Sequence, residues 1–187
     1  MHALVAALGL AQLAAPALAR DVHGVALPET VEVAGRTLHL NGAGVRRRFF
    51  VDVYVIGLWV ERPSTERRAI LDADSPRRIE IHLLRDVSAE QMGGAVTTAF
   101  RASAGDAMPS LEERLARLQT LLRAAHAGDT TTLTWIPGRG TVVADDGHEA
   151  GTIEGKDFAD ALFSVWIGTR PVDGGLARAL LAGGKVE

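Results

Sequence analysis

Cysteine is absent from all 187 residues, so neither a disulfide framework nor thiolate chemistry is open to this chain. Metal-ligand spacing is lacking too. The six histidines, His2, His23, His39, His82, His126 and His148, form neither H-x-H nor H-E-x-x-H. Ser164 has no nucleophile elbow around it, which removes the usual signature of acyl transfer. The glycines at Gly42–Gly44 and Gly138–Gly140 lack the Lys-Ser/Thr, or the third glycine opening a helix, that a phosphate loop needs. Aromatic residues make up only 5%, and the net charge of −3 leaves no basic field to hold a polyanion, so nucleic acid is excluded as a partner. No repeat, low-complexity linker or second-domain boundary occurs, and nothing calls for a cofactor.

What is present begins with 47% apolar residues, enough for an ordinary core. The N-terminus reads "MHALVAALGLAQLAAPALAR": an uncharged apolar run from Ala3 to Ala15, then Pro16 and the small-x-small triplet Ala17-Leu18-Ala19. That is the form of a secretory signal peptide over residues 1–19, cleaved after Ala19, although no Lys or Arg precedes the run. The run is shorter than the ~20 residues a membrane span requires. Residues 20–187 are then expected as one periplasmic domain with no transmembrane segment.

Element signals follow in order. Thr30 to Val33 alternate, Ala34-Gly35 supply a turn, and Thr37 to Leu40 return as a hairpin. The stretch "NGAGVRRRFFVDVYVIGLWVE" continues as one long strand to about Val60 and stops at "ERPST". A short helix capped by Ser64 or Thr65 precedes the alternating strand "RRIEIHLLRD". Ser88 with Gln91 opens a helix through a capping box. Gly93-Gly94 inside that helix cost about 1 kcal/mol each against alanine, which predicts a close approach to its backbone. Ser110 and Glu113 form a second capping box for a helix with the stripe Leu111, Leu115, Leu118, Leu122 and Ala125, ended by Gly128. A strand meander follows, with Asp146-Gly147 as its hairpin turn, so that "DDGHE" reads as a turn rather than an acidic site. Helices in "KDFADALFSVWIG" and "DGGLARALLAG" close the chain. Strands, helices, a meander and helices again make an α+β protein, a large antiparallel sheet with helices packed on one face.

The basic cluster is the remaining candidate for chemistry. In an uninterrupted strand Arg46, Arg48, Phe50, Asp52, Tyr54 and Ile56 share one face, while Arg47, Phe49, Val51, Val53, Val55 and Trp59 form an apolar one. A guanidinium offers a planar fork of donors suited to a carboxylate, and a tyrosine hydroxyl could complete such a site. The same pattern also fits a strand whose polar face is simply solvated.

Three segments tip that balance. "LNGAGVR" with "VYVIGLWVE", "RDVSAEQM", and "TIEGKDFADALFSVWIG" resemble the chalcone isomerase family, in particular its bacterial exported branch. The resemblance spans about Leu40 to Gly168 and implies an open-faced β-sandwich with a ligand cleft between sheet and helices. Carried over by position, the family's arginine falls on Arg46 and a strand threonine on Tyr54. Its helix tyrosine falls on Met92, its asparagine on Ala99, and its later threonine on Val165.

Flavanone ring closure needs a cation for the phenolate and donors that stabilise the developing enolate. Met92, Ala99 and Val165 donate no hydrogen bond, and losing even one such donor typically costs about 3 kcal/mol. The substitutions convert a polar site into an apolar slot ending in one cation and Tyr54, as in the family's plastid fatty-acid-binding members. The resemblance therefore implies a non-catalytic binder of a fatty-acid-like or other apolar carboxylate. Two alternatives remain open: an isomerase or lyase acting on an enone-like substrate through Arg46 with Tyr54 as donor, and an interaction module with an empty cleft. Arg47 and Arg48 are expected to be solvated or structural.

Overall fold

The computed structural model describes residues 18–185. Residues 1–17, which carry most of the expected leader, lie outside the described part. Nine strands and five helices follow one another: β1 (Ala19–Val22), β2 (Val25–Pro28), β3 (Thr30–Val33), β4 (Arg36–Arg48), β5 (Val51–Val60), α1 (Arg67–Leu71), β6 (Arg77–Leu83), α2 (Ala89–Ala104), α3 (Met108–Leu121), β7 (Thr130–Ile136), β8 (Gly140–Asp145), β9 (His148–Ile153), α4 (Lys156–Ile167) and α5 (Gly174–Leu180). Strands β3 to β9 form one seven-stranded antiparallel sheet in sequence order, and β1–β2 form a separate hairpin. No helix among the described residues is long and apolar enough to cross a membrane.

Period-two patterning explains the layers. In β6, Arg77, Ile79, Ile81 and Leu83 are buried on the helix side while Arg78, Glu80 and His82 face the other way. In β5 both sets are apolar, and both find cover. Ile56, Leu58 and Val60 join the main core beneath the helices. Val55 and Trp59 pack with Leu27, Val33, Leu38 and Leu40 under the β1–β2 hairpin, where the Trp59 Nε1 donates to the Pro28 carbonyl at 2.8 Å. That hairpin turns at His23-Gly24, both with positive φ. Helix α4 is apolar on most of its circumference, with Phe158, Ala159, Leu162, Phe163, Val165, Trp166 and Ile167 buried, because it is enclosed by α2, α5 and the sheet. Each such large side chain contributes about 2 kcal/mol by leaving water.

Four expectations are corrected. Residues 41–60 do not run as one strand: β4 and β5 are antiparallel partners joined by a two-residue turn at Phe49-Phe50, where Phe49 takes φ 56°. Phe49 and Val51, expected on the core face, are 87% and 43% exposed, and Phe50 is fully so. Helix α1 is preceded by Glu66 and has no side-chain cap; the Ser64 hydroxyl instead accepts from the Glu66 N–H at 3.0 Å. Nothing approaches Gly93 or Gly94, where an added Cβ would meet open space. Helix α3 starts earlier, with Pro109 in its first turn, and Ser110 donates to the Ala107 carbonyl rather than capping. It also ends at Leu121, which replaces Leu122 in the buried stripe, and Ala125 belongs instead to a short bridge with Val87. The other signals hold. Ser88 and Gln91 form the reciprocal capping box (3.2 and 3.0 Å), and Ala34-Gly35 and Asp146-Gly147 make the hairpin turns.

Candidate functional site

The segment "NGAG" positions the site through packing. Asn41 forms a bulge in β4, fully buried, and its Nδ2 donates to the Leu180 carbonyl at 2.7 Å while its Oδ1 accepts from the Ser64 N–H at 2.7 Å. Gly42 and Gly44 present no side chain toward the helices, so α5 lies directly on β4. A Cβ at Gly42 would stand 2.1 Å from the Ala179 carbonyl oxygen. The start of α5 is thereby fixed near the end of β4. Its N-cap, Asp173, accepts from the Leu176 N–H through Oδ1 at 2.9 Å and from Arg46 Nη1 through Oδ2 at 2.9 Å.

Arg46 and Tyr54 are direct cross-strand partners on the helix-covered face. Two features place them so. The turn at Phe49-Phe50 pairs Arg48 with Val51, and a bulge next to Arg46 then shifts the register by one residue. The Tyr54 hydroxyl accepts from Trp166 Nε1 at 3.0 Å, and among the described residues its own hydrogen has no acceptor. Burial raises the Tyr54 pKa above its ordinary value of 10; the Trp166 bond and Arg46 oppose the rise, and Asp173 adds to it. The phenol is therefore a neutral donor at any physiological pH.

Because Tyr54 is the chain's single tyrosine, its ionisation can be followed by tyrosinate absorbance. The midpoint is expected above 10 in the folded protein, near 10 in denaturant, and higher still in Arg46→Gln, which removes a nearby positive charge. The folded chain holds this proton more tightly than the unfolded one. Its contribution to stability is thus complete below the unfolded pKa and lost as pH rises through the folded value. A native midpoint at or below 10 would contradict this description of the site.

The other predicted site residues fall into two groups. Val165 is buried on α4 beside Trp166, and its carbonyl accepts from the Val172 N–H at 2.8 Å, which fixes the loop carrying Asp173. Ala99 is half-buried on α2 in the same core. Met92, nearer the start of α2, lines a cavity of about 430 Å³ with Leu122, Ala125, Asp129, Asp145 and Glu149. Arg46, Tyr54, Ala99 and Val165 do not line that cavity, whose carboxylates make it a poor place for an anion. A second opening, about 590 Å³, lies on the opposite sheet face around Arg78, Glu80 and Thr132. Arg47 pairs with Asp52 at 2.6 Å, and Arg48 lies over the Phe49 ring at 6.0 Å. Neither bonds to the Tyr54 hydroxyl.

Another cation, Arg77, is almost fully buried and structural. It donates to the Ile70 and Leu71 carbonyls at the end of α1, pairs with Asp160, and stacks on Phe163. Asp173 and Trp166 are functional candidates that the sequence analysis did not name. Asp173 carried a signal, an N-cap residue before Gly174-Gly175; Trp166 carried only its rarity.

A family model described as chalcone isomerase-like matches residues 19–182. The chain belongs to the chalcone isomerase-like family. A crystal structure of the Arabidopsis thaliana fatty-acid binding protein shares this fold, with a TM-score of 0.72 over 85% of this chain and 92% of that one, at 16% sequence identity. Nothing among curated proteins matches the sequence. The chalcone isomerase-like fold accounts for the large curled antiparallel sheet with helices on one face.

Proposed function

We propose that this chalcone isomerase-like protein is a non-catalytic binder of a fatty-acid-like carboxylate. Arg46 and Tyr54 would hold the head group, and the tail would lie along Met92 and Ala99 of α2 with Val165 behind them. The observation that carries this reading is the Arg46–Tyr54 pair: a guanidinium and an uncommitted phenolic donor on neighbouring strands of the helix-covered face. Helix α2 supports it. It starts just past Leu83, the β6 partner of Tyr54, and buries only Phe100 fully. Met92, Val96 and Ala99 are half-buried on one helical stripe, apolar surface that an acyl chain would cover. The shared fold with a protein named for fatty-acid binding points the same way. Methionine, alanine and valine at the three remaining positions supply no enolate donors, which counts against ring-closing catalysis. The apolar leader ahead of Ala19 supports a periplasmic location.

The test is native mass spectrometry of freshly purified protein. Wild type is expected to carry a co-purifying fatty acid that Arg46→Gln has lost, with circular dichroism unchanged between the two. A clean apo mass for wild type, or the same lipid retained by Arg46→Gln, would overturn the reading.

A further inference from the structure

Among the described residues, five large hydrophobic side chains are well exposed: Leu18, Phe49, Phe50, Val51 and Val172. Three are consecutive at the tip of the β4–β5 hairpin. A fourth, Val172, precedes Asp173, which is bonded to Arg46 on that same hairpin. The concentration is local, and the turn chemistry gives no reason for it. Two-residue hairpin loops favour glycine or asparagine where φ is positive, yet Phe49 takes φ 56° there and gains no core contact. A local rule broken without a packing return marks a functional segment.

Charge says what the tip would meet. Arg46 and Arg47 are each paired with a carboxylate, Asp173 and Asp52, but Arg48, directly before the phenylalanines, makes no ion pair among the described residues. An unpaired basic group behind protruding aromatics matches an anionic lipid surface, with the rings among the acyl chains and the Arg48 guanidinium at a phosphate. A protein partner fits less well. Two phenylalanine side chains offer roughly 300–500 Å², short of the ~800 Å² per partner of a stable interface. A second copy docked tip to tip would also oppose arginine to arginine. We propose that the β4–β5 hairpin is a membrane wedge that docks this protein on anionic phospholipid bilayers through Phe49, Phe50 and Arg48. This docking does not depend on the carboxylate reading.

The experiment uses the full chain carrying Phe50→Trp. Trp59, Trp135 and Trp166 are buried and give a constant background, so the new indole reports the tip rather than the apolar N-terminal run. With phosphatidylglycerol-containing vesicles bearing brominated acyl chains, its fluorescence is expected to be quenched. Adding Phe49→Ser or Arg48→Ala should weaken vesicle binding about tenfold, and added salt should weaken it further. Pure phosphatidylcholine vesicles should bind distinctly less. An indole that the brominated lipid leaves unquenched would overturn the proposal. So would concentration-dependent self-association that Phe49→Ser abolishes, since that outcome assigns the tip to a second copy.

Discussion

Gly42→Ala is expected to destabilise the fold by about 3 kcal/mol or more, read as a fall in the urea midpoint. The added carbon would stand 2.1 Å from the Ala179 carbonyl oxygen and 2.7 Å from that of Leu180. Both obstacles are backbone in the last turn of α5, so no side-chain rotation relieves them. Moving α5 away stretches the buried bond from Asn41 to Leu180, leaving polar groups unsatisfied. Gly44→Ala is the internal control. There the new carbon meets Leu176 Cδ1 at 2.9 Å, the end of a side chain that can rotate away, and Ala179 Cβ at 3.2 Å, which a shift of a few tenths of an ångström relieves, so the cost should stay near 1 kcal/mol. Equal effects at the two positions would show that α5 does not rest on β4 in this way. In Gly42→Ala the tyrosinate midpoint should move as well, because displacing α5 withdraws Asp173 from the neighbourhood of Arg46 and Tyr54.

The fold was legible where local chemistry and global structure agree. Ala34-Gly35 and Asp146-Gly147 place glycine where a hairpin needs positive φ, so both turns could be read directly. Phe49-Phe50 contradicts that chemistry, and the alternation of residues 41–60 therefore read as one strand. The shared face of Arg46 and Tyr54 emerged all the same, through two compensating features. Parity along a single strand puts them together. The real turn alone would have set Arg46 opposite Val53, and the bulge restores Tyr54 as its partner. Bulges leave no regular sequence trace, so this agreement lay beyond pattern reading.

The glycines show a related limit. Gly42 and Gly44 matched no phosphate loop and predicted no packing contact, whereas Gly93-Gly94 predicted one. The structure reverses the assignment: α5 presses on the first pair, and the second faces open space. Sequence marks a glycine but not which of its two uses, close approach or conformational freedom, applies. The pairing of Asp173 with Arg46 was hidden for the same kind of reason, although the N-cap role of Asp173 carried a signal. Asp173 lies 127 residues from Arg46, and only the docking of α5 brings the two together.

Asp173→Asn is expected to tighten binding of a fatty-acid carboxylate ten- to a hundredfold, measured by titration calorimetry with oleate. Asp173 already places a carboxylate oxygen on Arg46 Nη1, so an incoming head group competes with an internal one. A charge-assisted hydrogen bond of this kind is worth about 1.5–3 kcal/mol, which sets the range. Asparagine keeps the cap on the Leu176 N–H and so leaves α5 in place, while the negative charge is gone. The double variant Arg46→Gln/Asp173→Asn should lose the gain, since the competition acts only through Arg46. Failure of the double variant to reverse the effect would place the carboxylate elsewhere. Weak binding in every variant, Asp173→Asn included, would favour the interaction-module reading, in which the ion pair simply closes an empty cleft.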